Sequence, residues 1–158
     1  MWLYYVGHRR VLTHCYMARS FLVLAADDEE TDRLLLKLAF QEAGLEGTLM
    51  LTRDGQEALD YLDGEPPYQN RADHPLPSLF LLDLKMPRLN GFEVLASLAQ
   101  KPELQDLPVV VLSSSMDEAD LRKARRLGAD EYLVKPTNFQ ELTNMVRALS
   151  DRWLGGDS

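Results

Sequence analysis

Apolar and polar positions fall into blocks that predict strands separated by helices from Phe21 onward. Four short apolar runs have the length and continuity of strands buried on both faces of a sheet. They are Phe21–Ala26, Leu79–Leu82, Val109–Leu112 and Tyr132–Val134, and a weaker run at Thr48–Thr52 adds a fifth strand. Strands that alternate with helices imply right-handed crossovers and a parallel sheet with helices on both faces.

Helical spacing of apolar residues fills the intervals between these strands. The predicted helices are Glu29–Ala43, Gly55–Leu62, Phe92–Gln100, one capped by Asp117 and ended by Gly128, and one from Asn138 to Trp153. In the first helix, Leu34, Leu35, Leu38, Ala39 and Ala43 are the predicted inward stripe. Gly44 is placed to end that helix, because glycine is the common residue just after a helix.

The connection from Asp63 to Pro77 is unusually long and carries four prolines. Loops of this size without secondary structure are commonly functional or disordered. We expect a mobile surface insertion, with a loop that contacts a partner as the alternative.

Composition narrows the class of protein. The 158 residues carry a formal net charge of −8 and are most simply one domain. An acidic balance argues against nucleic-acid binding, which needs clustered Lys and Arg. No apolar run approaches the ~20 residues of a membrane-spanning helix, and we expect no membrane association. The single cysteine, Cys15, fits the reducing cytosol, and we expect a cytoplasmic protein.

Residues 1–19 differ from the rest of the chain. No acidic residue precedes Asp27, whereas Met17 lies directly before a natural start for the first strand. We expect residues 1–19 to be an accessory segment, and residues 1–16 to result from a translation start assigned too far upstream. A metal site from His8, His14 and Cys15 is the alternative, but their spacings match no compact ligand pattern and favour an irregular tail.

Polar residues stand at the carboxyl ends of four predicted strands. Asp27 and Asp28 follow the first strand, Asp83 the third, Ser113 the fourth and Lys135 the fifth. Open α/β sheets bind their ligands at this edge. Each residue alone is as easily explained as a cap, a polar loop or a solvated charge. Their occurrence together favours a functional site.

These residue types suit phosphoryl chemistry. Three clustered carboxylates would repel one another without a cation, and hard oxygen ligands suit Mg²⁺. Asp83 could then attack phosphorus as a carboxylate nucleophile and form an aspartyl phosphate. Lys135 supplies a mobile positive charge and Ser113 a hydroxyl donor for the phosphoryl oxygens.

The same residues resemble the receiver domain of two-component response regulators. The matching features are Asp27-Asp28, the block Leu82–Pro87, Asn90-Gly91, Ser113 and Lys135-Pro136, with Ser113 and Lys135 placed 30 and 52 residues after Asp83. The resemblance covers about Ser20 to Trp153. It implies a receiver domain over 20–153, a tail over 154–158, and a flavodoxin-like (CheY-like), doubly wound α/β fold. The five parallel strands would have the order 2-1-3-4-5.

The resemblance also implies a function. Asp83 would accept a phosphoryl group from a sensor histidine kinase or a phosphotransfer protein. Mg²⁺ would be held by Asp28, Asp83 and the backbone carbonyl of Lys85, with Asp27 acting through water. Such a protein is a signalling phosphoacceptor rather than an enzyme that turns over a substrate.

The family further implies a conformational switch. Lys135 would contact the phosphoryl group, and Ser113 would move to bond it and draw Tyr132 inward. This change would remodel the face formed by the fourth helix, the fifth strand and the last helix. Since no output domain follows Trp153, signalling by binding, by homodimerisation or by onward transfer is expected. The Pro-rich loop and Arg88–Glu93 look similar to single-domain regulators that partner phytochrome-type kinases.

Two other classes share part of this chemistry. A haloacid-dehalogenase-type phosphatase would use Asp83 as nucleophile, but it needs a second Asp two residues later, where Lys85 stands. A flavodoxin needs a phosphate-cradling loop after the first strand, where this chain has four consecutive acids, Asp27 to Glu30. In receiver domains the positions of Lys85 and Ser115 influence phosphoryl lifetime, and Lys85 predicts slow self-dephosphorylation.

Overall fold

The computed structural model describes residues 21–45 and 48–155. The predicted accessory segment 1–19, with its alternative metal ligands His8, His14 and Cys15, lies outside the described residues. So do residues 156–158 of the predicted tail. Within the described ranges, no helix is both long and apolar enough to cross a bilayer.

The described residues contain a five-stranded parallel sheet with the order β2-β1-β3-β4-β5. The strands are β1 (Val23–Ala26), β2 (Leu49–Thr52), β3 (Leu79–Leu82), β4 (Val109–Ser113) and β5 (Glu131–Val134). Both faces of β1, β3 and β4 are buried, as their unbroken apolar runs predict. The predicted flavodoxin-like topology is therefore confirmed.

Five α-helices cover the two faces of this sheet. They are α1 (Glu30–Glu42), α2 (Gly55–Asp63), α3 (Gly91–Leu98), α4 (Glu118–Arg126) and α5 (Phe139–Trp153), and a short 3₁₀ helix spans Pro102–Leu104. Alternate residues of each strand point to opposite faces. Val23 and Leu79 accordingly pack with α1 and α5, whereas Leu24 and Phe80 pack with α2 and α3.

The predicted inward stripe of α1 is wrong for its three leucines. Leu34, Leu35 and Leu38 are 54%, 37% and 40% exposed, whereas Leu36, Ala39 and Phe40 are buried. The sequence offers two interleaved stripes with helical spacing, and both contain Ala39. The helix is rotated so that Leu36, Ala39 and Phe40 pack against the sheet and α5.

The Pro-rich connection after α2 packs against that helix instead of extending as a loose insertion. The guanidinium of Arg71 donates to the carbonyls of Tyr61 and Leu62 at 2.8 and 2.7 Å, which satisfies the carboxyl end of α2. Tyr68 is buried, and its ring lies 5.1 Å from that of Tyr61 and 5.3 Å from that of His74. The segment therefore packs on α2 through Tyr68 and His74, and Tyr68 joins the main core of the protein.

The burial of α1 predicts unequal effects for two leucines that are two residues apart. Leu36→Ala is expected to lower the free energy of unfolding by about 2–5 kcal/mol, because it leaves a cavity in the core. Leu38→Ala, the matched control on the exposed side, is expected to cost less than about 1 kcal/mol. Urea unfolding monitored by circular dichroism measures both values. Equal losses would contradict the rotation of the helix.

Candidate functional site

The register of the sheet brings the predicted site residues to one edge. Asp27, Asp83 and Lys135 each follow the last residue of a strand, and the backbone N–H of each donates one more bond to a neighbouring strand. These bonds join Asp27 to Thr52, Asp83 to Ala26 and Lys135 to Ser113, with N···O distances of 3.1, 3.0 and 2.8 Å. The ladder thus fixes the backbone that carries the polar side chains.

Three carboxylates meet at this edge. Asp27, Asp28 and Asp83 each offer an oxygen, and these oxygens all lie within 4.8 Å of one another. Asp27 and Asp83 are buried, at 8% and 6% exposure, and Asp28 is the most accessible of the three. A set of hard oxygen ligands with one open side is what a divalent cation requires. The residues present therefore fit a divalent metal.

Lys135 neutralises part of this charge. Its ammonium lies 2.7 Å from Asp27 Oδ2, 2.8 Å from Asp32 Oδ2 and 3.4 Å from Asp83 Oδ2. Burial acts to lower the pKa of the lysine, but its hydrogen bonds to Asp27 and Asp32 outweigh that effect and raise it. Lys135 is therefore a permanent cation in the site.

The buried carboxyls hold their protons more tightly than free aspartates do. Desolvation raises the pKa of Asp83 from 3.8 to about 6, against the attraction of Lys135 and with the repulsion of Asp27. Desolvation also raises the pKa of Asp27, although Lys135 and the backbone N–H of Glu29 donate hydrogen bonds that oppose it. An additional positive charge at this edge would be strongly favoured.

Ser113 and Tyr132 belong to one hydrogen-bonded network, which is centred on Ser115 in the loop between β4 and α4. The buried Ser113 Oγ accepts a bond from the backbone N–H of Ser115 at 3.2 Å. The hydroxyl of Tyr132 donates to the carbonyl of Ser115 at 2.9 Å, and Ser115 Oγ donates to Asp120 at 2.7 Å. The two predicted switch residues are therefore linked through Ser115, and Ser113 makes no hydrogen bond to Asp83 within the described ranges.

The loop between β3 and α3 is held tightly beside Asp83. The backbone N–H of Lys85 points to Asp83 Oδ1 at 3.5 Å, while the side chain of Lys85 is exposed. A Cβ added at Gly91 would touch the carbonyl of Asp83 and lie 2.7 Å from Cα of Leu84. Glycine at this position thus lets α3 begin in contact with the backbone of Asp83.

Sequence reasoning missed two residues that shape the site. Asp32 reaches Lys135 from the first turn of α1. The sequence signal that could have identified Asp32 is an acid five residues after Asp27, in the first turn of the helix that begins at the same sheet edge. Arg88 pairs with Asp54, the N-cap of α2, and so joins the β3–α3 loop to its neighbour. The positive φ of Arg88, 65°, is visible in the structure alone.

Residues 23–147 match the family model described as the response regulator receiver domain. The match covers most of the chain and includes every residue of the cluster at the sheet edge. The chain belongs to this family.

Similar proteins of known sequence and structure support the assignment. The chain is 36% identical over 135 residues to a probable methanogenesis regulatory protein, FilR2, of Methanothrix harundinacea, covering 85% of this chain and 84% of that protein. It is 35% identical to response regulator Rcp1 of Synechocystis, covering 84% and 88%. A solved Mn²⁺-bound form of Rcp1 superposes with a TM-score of 0.76, covering 88% of this chain and 98% of that one.

A third similar protein is the phosphorylated cyanobacterial phytochrome response regulator RcpA. Its crystal structure gives a TM-score of 0.78 at 33% identity and covers 87% of this chain and 96% of that chain. The family places the protein in two-component signalling, where receiver domains interact with histidine kinases or phosphotransfer partners and bind a divalent metal. The family assignment gives no support to the phosphatase alternative.

The raised pKa of Asp83 predicts a pH-dependent penalty on stability. Between pH 3.8 and about 6 the folded state retains a proton that the unfolded state releases, and stability falls as the pH rises through this window. In chelator, Asp83→Asn is expected to raise the free energy of unfolding by about 1–3 kcal/mol at pH 7. The gain should be much smaller at pH 4, where the folded carboxyl is already protonated.

Denaturant unfolding of both proteins at the two pH values provides the measurement. Asp106→Asn, at an exposed acid of the same type, is the control and should change stability little at either pH. A gain from Asp83→Asn that is equal at pH 4 and pH 7 would contradict the assignment of the penalty to the ionised Asp83.

Proposed function

We propose that Asp83 is the phosphoryl acceptor of a single-domain response regulator. The observation that carries the proposal is the contact of its buried carboxylate with the Lys135 ammonium at 3.4 Å, beside the other two carboxylates of the cluster. A carboxylate oxygen of Asp83 would form the bond to phosphorus. Lys135 would meet the developing charge on the phosphoryl oxygens, and Ser113 would add a hydroxyl donor after leaving Ser115.

Mg²⁺ is the proposed cation. Asp28, Asp83 and the backbone carbonyl of Lys85 would hold it, with Asp27 acting through a bound water. Mg²⁺ keeps several waters and takes one or two carboxylates, which suits a cluster with one accessible member. When bound, it would neutralise acidic charge and polarise the incoming phosphoryl group. Support comes from the carboxylate geometry and from the Mn²⁺-bound form of the relative Rcp1.

The switch would run from Ser113 to Tyr132. A shift of Ser113 toward a phosphoryl group on Asp83 would break its bond with the N–H of Ser115. Because Tyr132 donates to the carbonyl of the same Ser115, the shift would also disturb the tyrosine. Phosphorylation would thereby remodel the α4-β5-α5 face. Signalling rather than substrate turnover would be the role of the protein.

The proposed partner is a sensor histidine kinase of the phytochrome type in the cytoplasm. Relatives that belong to phytochrome signalling support the type of kinase. The exposed leucines of α1, Leu34, Leu35 and Leu38, provide an apolar surface for docking. Leu35 also lines a shallow cavity with Asp32 and Lys135, which places this surface next to the acceptor.

Homodimerisation through the α4-β5-α5 face is part of the proposal. β5 is an edge strand of the sheet and carries Val134, which is 44% exposed. Phe139, at the start of α5, is 39% exposed nearby in sequence. Exposed apolar side chains at a sheet edge favour association with another protein surface.

Phosphorylation of the full chain tests the acceptor. Incubation with acetyl phosphate and Mg²⁺ is expected to add one acid-stable, base-labile phosphoryl group, detected by intact mass. Asp83→Asn should remain unmodified, because the nucleophilic oxygen is lost, and chelator should prevent labelling of the parent. Asp106→Asn is the matched control and should be labelled like the parent. An unlabelled parent, or a labelled Asp83→Asn variant, would refute the acceptor.

The same samples test the partner and the dimer. Transfer from an autophosphorylated phytochrome-type kinase to the parent, and not to Asp83→Asn, is the expected result. Light scattering should give a larger mass for the phosphorylated protein than for the unmodified one. Labelling by acetyl phosphate without transfer from the kinase would refute the proposed partner and keep Asp83 as the acceptor. An unchanged mass after phosphorylation would refute only the proposed homodimer.

The exposed Lys85 predicts a long-lived phosphoryl group. Its side chain stands two residues beyond Asp83, where it can hinder a water that attacks phosphorus. Lys85→Asn is expected to shorten the phosphoryl half-life by roughly threefold, a barrier change of about 0.7 kcal/mol. Half-lives are measured by intact mass after removal of donor. Lys37→Asn, at an exposed lysine of α1, should keep the parent half-life. No shortening in Lys85→Asn would count against this role.

A further inference from the structure

Asp32 is an acid at the site edge that lies outside the carboxylate cluster. Its Oδ2 accepts a 2.8 Å hydrogen bond from the Lys135 ammonium, and within the described part of the chain its side chain makes no other hydrogen bond. The carboxylates that could hold a cation are Asp27, Asp28 and Asp83. Asp32 therefore contacts the site through Lys135.

The distances show where the lysine is held. Its ammonium is 2.7 Å from Asp27 and 2.8 Å from Asp32, but 3.4 Å from Asp83. A cation that stabilises a phosphoryl group must come to hydrogen-bonding distance of the oxygens on that group. To bond a phosphoryl group on Asp83, the Lys135 ammonium must move away from Asp32 and Asp27, which lengthens or breaks its hydrogen bonds to them.

Asp32 differs from Asp27 in what it can do instead. The side chain of Asp32 is 39% exposed, against 11% for Asp27. Water can therefore solvate Asp32 when the lysine leaves, and the contact is a weak one that can be given up. Asp27 is tied in addition by the backbone N–H of Glu29. Asp32 is thus an ion-pair partner that Lys135 can leave at low cost.

We propose that Asp32 is a positioning residue that competes with the phosphoryl group on Asp83 for the ammonium of Lys135. This inference rests on the proposed function of Asp83. Asp32 would restrain the acceptor site of the unmodified protein, because each phosphorylation event must draw the lysine from it. Its carboxylate would therefore slow phosphoryl transfer.

The step that reports the competition is phosphorylation by acetyl phosphate. A carboxylate oxygen of Asp83 forms a bond to phosphorus while the bond from phosphorus to the acetate oxygen breaks. The electron pair of that bond leaves with acetate, which needs no proton at neutral pH. The rate of this step depends on how well Lys135 meets the phosphoryl oxygens.

The decisive variant is Asp32→Asn, which removes the charge and keeps the shape of the side chain. At fixed Mg²⁺ concentration and ionic strength, we expect it to be phosphorylated about two- to fivefold faster than the parent, since a partly exposed ion pair is a weak competitor. Asp32→Glu, which restores a carboxylate, is expected to return the rate to near that of the parent. Damage to the structure would slow the reaction instead.

The control is Glu30→Gln, which removes an exposed acid from the same first turn of α1. It should leave the rate unchanged, because Glu30 does not contact Lys135. Equal acceleration by Glu30→Gln would assign the effect to general charge, and equal acceleration by Asp32→Glu to side-chain shape; either overturns the inference. A phosphorylated parent with Asp32→Asn no faster overturns this inference alone. A parent that is never phosphorylated overturns the proposed function and this inference with it.

Discussion

The parallel register of the strands is the constraint on which the molecule depends. Ala26 of β1 lies opposite Leu82 of β3, so the next residues, Asp27 and Asp83, emerge side by side. Side chains alternate between faces, and a slip of one residue would exchange the side chains that face the two helical layers and separate the two acids along the edge. The same hydrogen bonds that bury the core therefore assemble the site, and the site inherits the rigidity of the sheet.

Acidic side chains outnumber basic ones at this edge of the sheet. One ammonium, that of Lys135, faces three carboxylates, and Asp28 adds a fourth acid nearby. Burial makes each uncompensated charge costly, and this cost appears as the raised pKa values of Asp27 and Asp83. A cation at the edge relieves the imbalance. The folded protein is thus prepared for the ligands that its proposed chemistry needs.

The sequence predicts the fold and the acidic cluster well, because both depend on short-range patterns. Unbroken apolar runs identify buried strands, and the polar residue after each run lies at the strand end by necessity. The rotation of α1 is different, because two stripes of similar spacing compete and three-dimensional packing around Phe40 decides between them. The contact of Asp32 with Lys135 joins residues 103 positions apart. The spacing of Asp32 from Asp27 hints at the site edge, but the pairing with Lys135 depends on how a helix and a strand approach one another in three dimensions.

The folded Pro-rich segment after α2 has a consequence for how the molecule is used. α2 begins beside the carboxyl edge of the sheet and runs back along the strands, so the segment that Arg71 fastens to its end lies at the opposite edge. Four-residue strands separate the two edges by about 13 Å. A protein seated around the half-exposed Leu76 would leave Asp83 open. The Pro-rich segment and Asp83 therefore lie on separate surfaces of the molecule.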